Sequence, residues 1–326
     1  MLARLQRFTT LGLLLAATVW AWAFARAGHP VWAFGGAALI VFGYALVLGI
    51  EFVLLAHVNR GDPAVPPASA GRLIRAWAGE ALSAPSVFCW RQPFRTWAVA
   101  DQPAAATAGR RGVVLIHGFV CNRALWTPVM RRLQREGVPF IAVSMEPVFG
   151  SIDRYAPQIE AAVRALEAGT GLPPVLLCHS MGGLAARAWL RANQQAGGSD
   201  DRVHRVITIG SPHHGTWLAR WGFASNTRQM RQGNPWLAEL AASETPSRYA
   251  RFTCFWGHCD NIVFPASTAV LPGSHAVHLS DIAHVHMAFH DEVFNEVLRW
   301  VDKAVAPSGS APAGAGAAAR TGASAQ

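Results

Sequence analysis

"PPVLLCHSMGGLAARAWLRAN", residues 173–193, decides the reading of this chain. A short apolar run ends in Cys178-His179-Ser180-Met181-Gly182-Gly183, and a helix-like stretch follows. That layout puts a serine on a sharp strand-to-helix turn, a nucleophile elbow, with its hydroxyl lifted to the top of a sheet. The backbone N–H of Met181 then points at any oxyanion forming beside Ser180. Gly182 lets the helix pass close to the strand. The usual pattern is G-x-S-x-G, and here Cys178 stands in place of the first glycine. An S-x-G triplet alone fits a plain strand–helix turn equally well, so the weight rests on what surrounds it.

Upstream, "GVVLIHGF" at 112–119 reads as a strand ending in His117-Gly118-Phe119. Apolar, β-branched runs of this length suit a parallel strand covered on both faces. The loop that follows turns its next N–H toward the nucleophile, so Phe119 and Met181 are the candidate oxyanion hole. Downstream, "RVITIGSPHHGT" at 205–216 runs an apolar strand into Ser211-Pro212-His213-His214-Gly215-Thr216. Strands are expected at 112–117, 138–143, 174–179, 203–210, 251–256 and 276–280, with "FRTWAV" at 94–99 as a further first strand. Helices are expected at about 123–136, 154–168, 182–194 and 287–304. This alternation implies an α/β fold with a mostly parallel sheet flanked by helices. There is no internal repeat and no phosphate-binding glycine loop.

The strings "LIHGF", "CHSMGG" and "TIGSPHHGT", in that order, resemble the bacterial lipases and esterases of the α/β-hydrolase fold. Similar strings occur in the lecithin–cholesterol acyltransferase group. The resemblance covers about 110 to 300 and implies a serine hydrolase acting on carboxylic esters. A serine hydroxyl needs a base to remove its proton, and the base needs an orienting acid. In this fold they follow in the order Ser, Asp or Glu, His. Asp260, in "HCDNIVFP" after the strand "RFTCFWG", matches the acid's place; Asp281 is its rival, and Asp200 and Asp201 fall too early. For the base, "SDIAHVHMAFH" at 280–290 offers His284, with His286 as substitute and His290 read as inside the helix. His213 and His214 precede the acid and read as pocket floor. No ligand spacing supports a metal, and ester hydrolysis of this kind needs no cofactor. The segment 217–249, with Trp217, Trp221, Phe223, Met230 and Trp236, reads as a lid or a packed cap. An acyltransferase using the same acyl-enzyme, or an inactive hydrolase-fold membrane tether or assembly factor, are the other readings.

The chain has 326 residues, 52% hydrophobic and only 14% charged, with a net charge of +9 carried almost wholly by arginine. No nucleic-acid-binding motif accompanies that charge, and an anionic membrane surface accounts for it better. Five cysteines, 89, 121, 178, 254 and 259, lack the spacing of a disulfide framework or zinc site.

The N-terminus explains the hydrophobicity. Two apolar stretches, at about 8–25 and 31–55, are long enough to cross a hydrocarbon core, which takes about 20 helical residues. They make residues 1–60 a transmembrane hairpin; a cleaved signal peptide is the rival for the first stretch. Glu51, late in the second, reads as reaching toward the interface. Residues 61–100 form a linker with a Trp- and Arg-rich interfacial stretch, 101–306 the catalytic domain, and 307–326 a disordered tail. Arg4 and Arg7 precede the hairpin, Arg60, Arg72 and Arg75 follow it, and only Arg26 lies in the connection. The positive-inside rule then puts both ends, and the catalytic domain, on the cytoplasmic side of a bacterial inner membrane. Alkaline phosphatase fused after Ala306 is therefore expected to be inactive, and a fluorescent protein there to fold; a strongly active phosphatase fusion reverses the topology.

Overall fold

The computed structural model describes residues 1–104 and 109–302. Two long helices open the chain, α1 (Leu2–Arg26) and α2 (Pro30–Asn59). Pro30 begins α2 with its φ already set and no donor wasted. Many of their large apolar side chains, among them Leu14, Trp22, Phe34, Phe42 and Ile50, face outward. Neither helix is the core helix of a globular domain.

Helix α3 (Ala70–Pro85) starts where the Ser69 hydroxyl accepts from the Arg72 N–H. Ala76 is buried and Arg72 and Arg75 are exposed, but Ile74 and Leu82 are 64% and 81% exposed, whereas Glu80 is 2% exposed. A π-type turn at 86–91 leads into α4 (Gln92–Phe94). The strand expected at 94–99 does not form. Phe94 closes α4, Thr96 Oγ1 donates back to Gln92 O at 2.7 Å, and the chain turns at 95–98. Outside β2 (Phe140–Ala142), among the described residues, an isolated antiparallel bridge from Gln102 meets the sheet edge.

The alternating part runs β1 (Val113–Ile116), α5 (Thr127–Arg135), β2, α6 (Ala156–Thr170), β3 (Val175–His179), α7 (Met181–Gln195) and β4 (Arg205–Ile209). Three short helices follow in the expected lid segment, α8 (Ser225–Gln229), α9 (Pro235–Ala242) and α10 (Pro246–Tyr249). Then come β5 (Phe252–Trp256), β6 (His275–His278), α11 (His284–Met287) and α12 (Asp291–Val301). The six strands pair in parallel in the order β2-β1-β3-β4-β5-β6. Chain order reverses on either side of β1, the kind of switch point where ligand crevices open at the carboxyl ends of strands. The single helix expected over 287–304 is broken, because His290 leaves helical geometry and caps α12, its Nδ1 accepting from Glu292 N–H. His290 is thus a cap and not an interior residue. The expected tail at 307–326 lies outside the described residues.

The inner strands β1, β3, β4 and β5 are mostly apolar because both faces are covered, whereas the edge strand β6 is partly exposed and has a histidine at each end. Val114, Ile116, Leu176, Cys178 and Val206 face the α6–α7 core, while Val113, Leu115, Val175, Leu177 and Ile207 face the core of α5 and α12. Helix α7 is buried on nearly every side. Its Arg187 is neutralised by Glu244, with nitrogen–oxygen distances of 2.9 and 2.6 Å, and also donates to His213 O at 3.0 Å. That pair ties the central helix to the end of the lid segment. Where α7 crosses β1, a Cβ on Gly182 would lie 2.6 Å from Ile116 O and 2.7 Å from His117 O. Backbone cannot give way as a flexible side chain does. Gly182→Ala is expected to cost about 1–3 kcal/mol and to lower the midpoint of thermal unfolding by several degrees; an unchanged midpoint refutes the tight crossing.

Candidate active site

The elbow forms as its sequence implies, with a strained backbone. Ser180 lies between β3 and α7 at φ 56°, ψ −128°, and its N–H donates to Ile209 O at 2.8 Å. Such a conformation costs on the order of 1–3 kcal/mol for a non-glycine residue and persists only where its surroundings enforce it. Glycine makes the room: a Cβ on Gly118 would lie 2.8 Å from Ser180 Cβ, and one on Gly183 would run into Ser211. Cys178, at the departure from the usual pattern, is wholly buried in the α6–α7 core, so a small apolar side chain is accommodated there.

Asp260 and His284 are brought together. His284 Nδ1 stands 2.8 Å from Asp260 Oδ1 and 3.0 Å from Oδ2, and both residues are buried. Asp260 Oδ1 also accepts from the Ile262 and Val263 N–H groups at 3.0 and 2.9 Å, which fixes the carboxylate. Burial is the largest influence on His284 and lowers its pKa, but the charge and hydrogen bond of Asp260, helped by Glu80 and Glu51, reverse this and leave it raised. A Cβ on Gly210, at the end of β4, would meet Asp260 Oδ2 at 2.6 Å and His284 Nδ1 at 3.0 Å. Ser180 N is bonded to Ile209, the residue before Gly210. The end of β4 is therefore flanked by the serine on one side and the imidazole on the other.

The rival residues are engaged elsewhere. Asp281 faces Arg72 and Arg75 at 3.4 and 3.5 Å. His286 is half-buried beside Gly79. His213 is buried, its Nε2 3.1 Å from Thr208 Oγ1, and His214 N–H donates to Thr268 O. Asp200 and Asp201 pair with Arg248 and Arg251. His258, Cys259 and Asp281 bring possible metal-ligand atoms within 4.8 Å of one another. However, the arginines already balance Asp281, and His258 Nδ1 lies 2.9 Å from His278 Nε2.

Phe119 follows β1 beside the elbow, and Val120, next to it, is held at φ 53°. A β-branched residue in this region is an outlier. The loop is pinned by His117, whose Nε2 accepts from Met145 N–H at 2.9 Å while its Nδ1 lies 2.8 Å from Gly118 O. Burial pushes the His117 imidazolium down to about 4, so the ring is neutral and able to accept. Gln6 of α1 donates to Val120 O at 3.3 Å. Met181 is the first residue of α7, where helix N–H groups lack partners within the helix.

Further residues contact the segment that carries His284. His179 Nε2 lies 3.0 Å from His284 O. Asn261 Oδ1 accepts from His284 N–H at 3.3 Å, and Asn261 Nδ2 donates to Glu51 Oε2 at 2.7 Å. Glu51 thus turns into the protein beside the acid–base pair and does not reach for the interface, because an amide donor meets its carboxylate there. Glu80 accepts from the Val285 and His286 N–H groups at 3.0 and 3.1 Å. The only available signal was that each glutamate is the lone acid in its surroundings, Glu51 in α2 and Glu80 between 63 and 100.

Comparisons with known proteins bear on the family and the fold. A family model described as the alpha/beta hydrolase family matches residues 113–317. The fold is similar to the mature Bacillus licheniformis lipase BlEst2, at TM-score 0.52 and 16% identity, over 60% of this chain and 95% of that one. It is similar also to Aspergillus fumigatus lipase B, at TM-score 0.50 and 17% identity, over 59% of this chain and 53% of that one. At these identities the likeness is one of fold. No curated protein sequence matches the chain. The chain belongs to the α/β-hydrolase family.

Proposed function

We propose that this protein is a membrane-anchored serine hydrolase that cleaves carboxylic esters of lipid-like substrates. The observation that carries the reading is the buried Asp260–His284 pair at 2.8 Å beside a serine held at φ 56°. His284 takes the Ser180 proton as Oγ attacks the ester carbonyl, and Asp260 stabilises the imidazolium that forms. The Phe119 and Met181 N–H groups receive the developing oxyanion. His284 then protonates the leaving alcohol, which leaves an acyl-Ser180 ester. Water, deprotonated by the same imidazole, attacks that ester and releases the carboxylic acid. No cofactor enters the cycle.

On this reading Ser180→Ala abolishes both fluorophosphonate labelling and turnover of p-nitrophenyl butyrate. His284→Ala lowers kcat by on the order of 10⁴-fold. Asp260→Asn lowers it somewhat less and moves the acid limb of kcat/KM to lower pH, since the charge that raises the His284 pKa is gone. Full esterase activity in Ser180→Ala excludes the mechanism.

The lipid part rests on the outer surface. Residues 30–50 of α2 give roughly 30 Å of apolar helix, the thickness of a hydrocarbon core. The arginine distribution supports a cytoplasmic catalytic domain. Trp221 and Phe223 in the lid segment are 65% and 84% exposed, as are the apolar Ile74 and Leu82 of α3. Such side chains lose little on meeting a bilayer, and an anchored enzyme meets lipid at high local concentration. Diacylglycerol in phosphatidylglycerol-containing vesicles is therefore expected to be cleaved faster than a matched soluble ester. The double variant Trp221→Ser, Phe223→Ser lowers the vesicle-to-soluble rate ratio. A firm preference for short soluble esters defeats the lipid assignment and leaves a membrane-tethered esterase.

A further inference from the structure

The last third of α2 is packed against the protein. Phe52 and Leu55 are buried with Cys259, Phe264 and Ala283, residues that flank Asp260 and His284 in sequence. Asn59 Nδ2 donates to His258 O at 3.3 Å and its Oδ1 accepts from Ala266 N–H at 3.1 Å, so the helix end brackets the acid loop. Trp77 of α3 donates to Ala45 O of α2 at 2.8 Å and locks the two helices together. From this joined pair, two glutamates enter the site from outside the parallel α/β layer.

Glu80 is the more direct. Its two oxygens accept from the Val285 and His286 N–H groups, the first turn of α11, which begins at His284. A carboxylate with an N–H on each oxygen sets the orientation of that turn, and with it the direction of the imidazole. It is 2% exposed on a helix whose Ile74 and Leu82 point outward. Ordinary solubility does not explain a buried carboxylate and exposed leucine on the same short helix; a function for the carboxylate does. Glu51 acts one step further away. It holds Asn261 Nδ2, and Asn261 Oδ1 holds the His284 N–H. The backbone of His284 and the next two residues is thus held by two carboxylates, directly or through one amide.

We infer that Glu80 and Glu51 are positioning residues for His284, so that the membrane-proximal helices complete the active site. The inference rests on the reading of His284 as the general base. It makes the anchor more than a tether: a chain without residues 51–80 lacks parts of the machinery, even toward a soluble ester.

The charged and titratable groups that face His284 are Asp260 from the loop after β5, Glu80 from α3, Glu51 from α2 and His179 from the elbow. Burial drives His179 well below its ordinary value, so it brings no charge. Burial pushes the Glu80 carboxyl above its ordinary range; where it is ionised it favours the imidazolium, and its loss there lowers the pH at which His284 becomes a base.

The test uses the full-length protein in detergent, with p-nitrophenyl butyrate and a fluorophosphonate. Wild type must label at Ser180; absence of labelling sinks the hydrolase reading and leaves the contacts of Glu80 without this role. Glu80→Gln keeps the shape but turns one acceptor into a donor aimed at a backbone N–H. With labelling established, it is expected to lower kcat by about 10- to 100-fold, with a much smaller change in KM. The acid limb of kcat/KM should also move to lower pH, which a purely structural contact would not cause. Glu51→Met, near in shape and unable to accept, is expected to lower kcat by about 3- to 10-fold. A folded Glu80→Gln enzyme with kcat within about threefold of wild type, or with its acid limb unmoved, overturns the proposal. If that variant does not fold, Glu51→Met decides on kcat, and failure of both to fold assigns the glutamates to stability instead.

Discussion

Holding a serine at φ 56° between a parallel strand and a buried helix is the constraint around which this protein is arranged. The conformation is unfavourable, and the neighbours that enforce it must come very close. Gly118, Gly182, Gly183 and Gly210 mark those approaches, and a Cβ at any of them would press on the serine, the β1 carbonyls, Ser211 or the Asp260–His284 pair. The strain extends to Val120 on one side and Asp281 on the other, both at positive φ. Among the described residues these are the three non-glycine positions with positive φ, and all lie in or beside the loops that carry the candidate machinery. Strain concentrated in this way is typical of loops over-determined by a rigid scaffold, here a sheet buried on both faces.

The scaffold does not stop at the alternating strands and helices. Gln6 of α1 holds the Val120 carbonyl, and Gln92 of α4 accepts from Asn122 N–H at 2.9 Å. Glu51 and Glu80 reach the histidine side of the site. The N-terminal helices therefore touch both the loop after β1 and the segment that carries His284. Trp217 and Leu218, at the start of the lid segment, pack in the same cluster as Phe52 and Leu55 of α2. One small apolar cluster joins α2, the loop that carries Asp260 and the start of the 217–249 segment.

Buried charge follows a consistent pattern. Arg187 and Glu244 neutralise each other in the interior, whereas Asp260 is met by an imidazole and two backbone donors. Ion pairs buried this deeply add little net stability against apolar substitutes, but losing one partner leaves a charge without compensation. Arg187–Glu244 therefore serves chiefly to fix the lid segment against α7.

Much of this was legible in the sequence. The β1 run was apolar enough to read as covered on both faces, and the alternation of strands and helices read as a mostly parallel sheet flanked by helices. Two local readings failed for local reasons: the 94–99 stretch turns off the end of α4, with Thr96 bonded back to Gln92, and His290 breaks a helix by capping the next one. The expectation that Glu51 reaches the interface failed for a different reason. Whether a lone carboxylate in an apolar helix faces solvent or an amide depends on what packs against it, and its partner lies 210 positions away. The sequence by itself determined the order of elements, the strained elbow and the apolar N-terminal helices, because these follow from periodicity and turn chemistry over short spans. The resemblance favoured Asp260 over Asp281, but only the tertiary structure shows its contact with His284 and that Glu51 and Glu80 stand behind it. Those contacts join residues far apart in sequence, whose proximity no local pattern encodes.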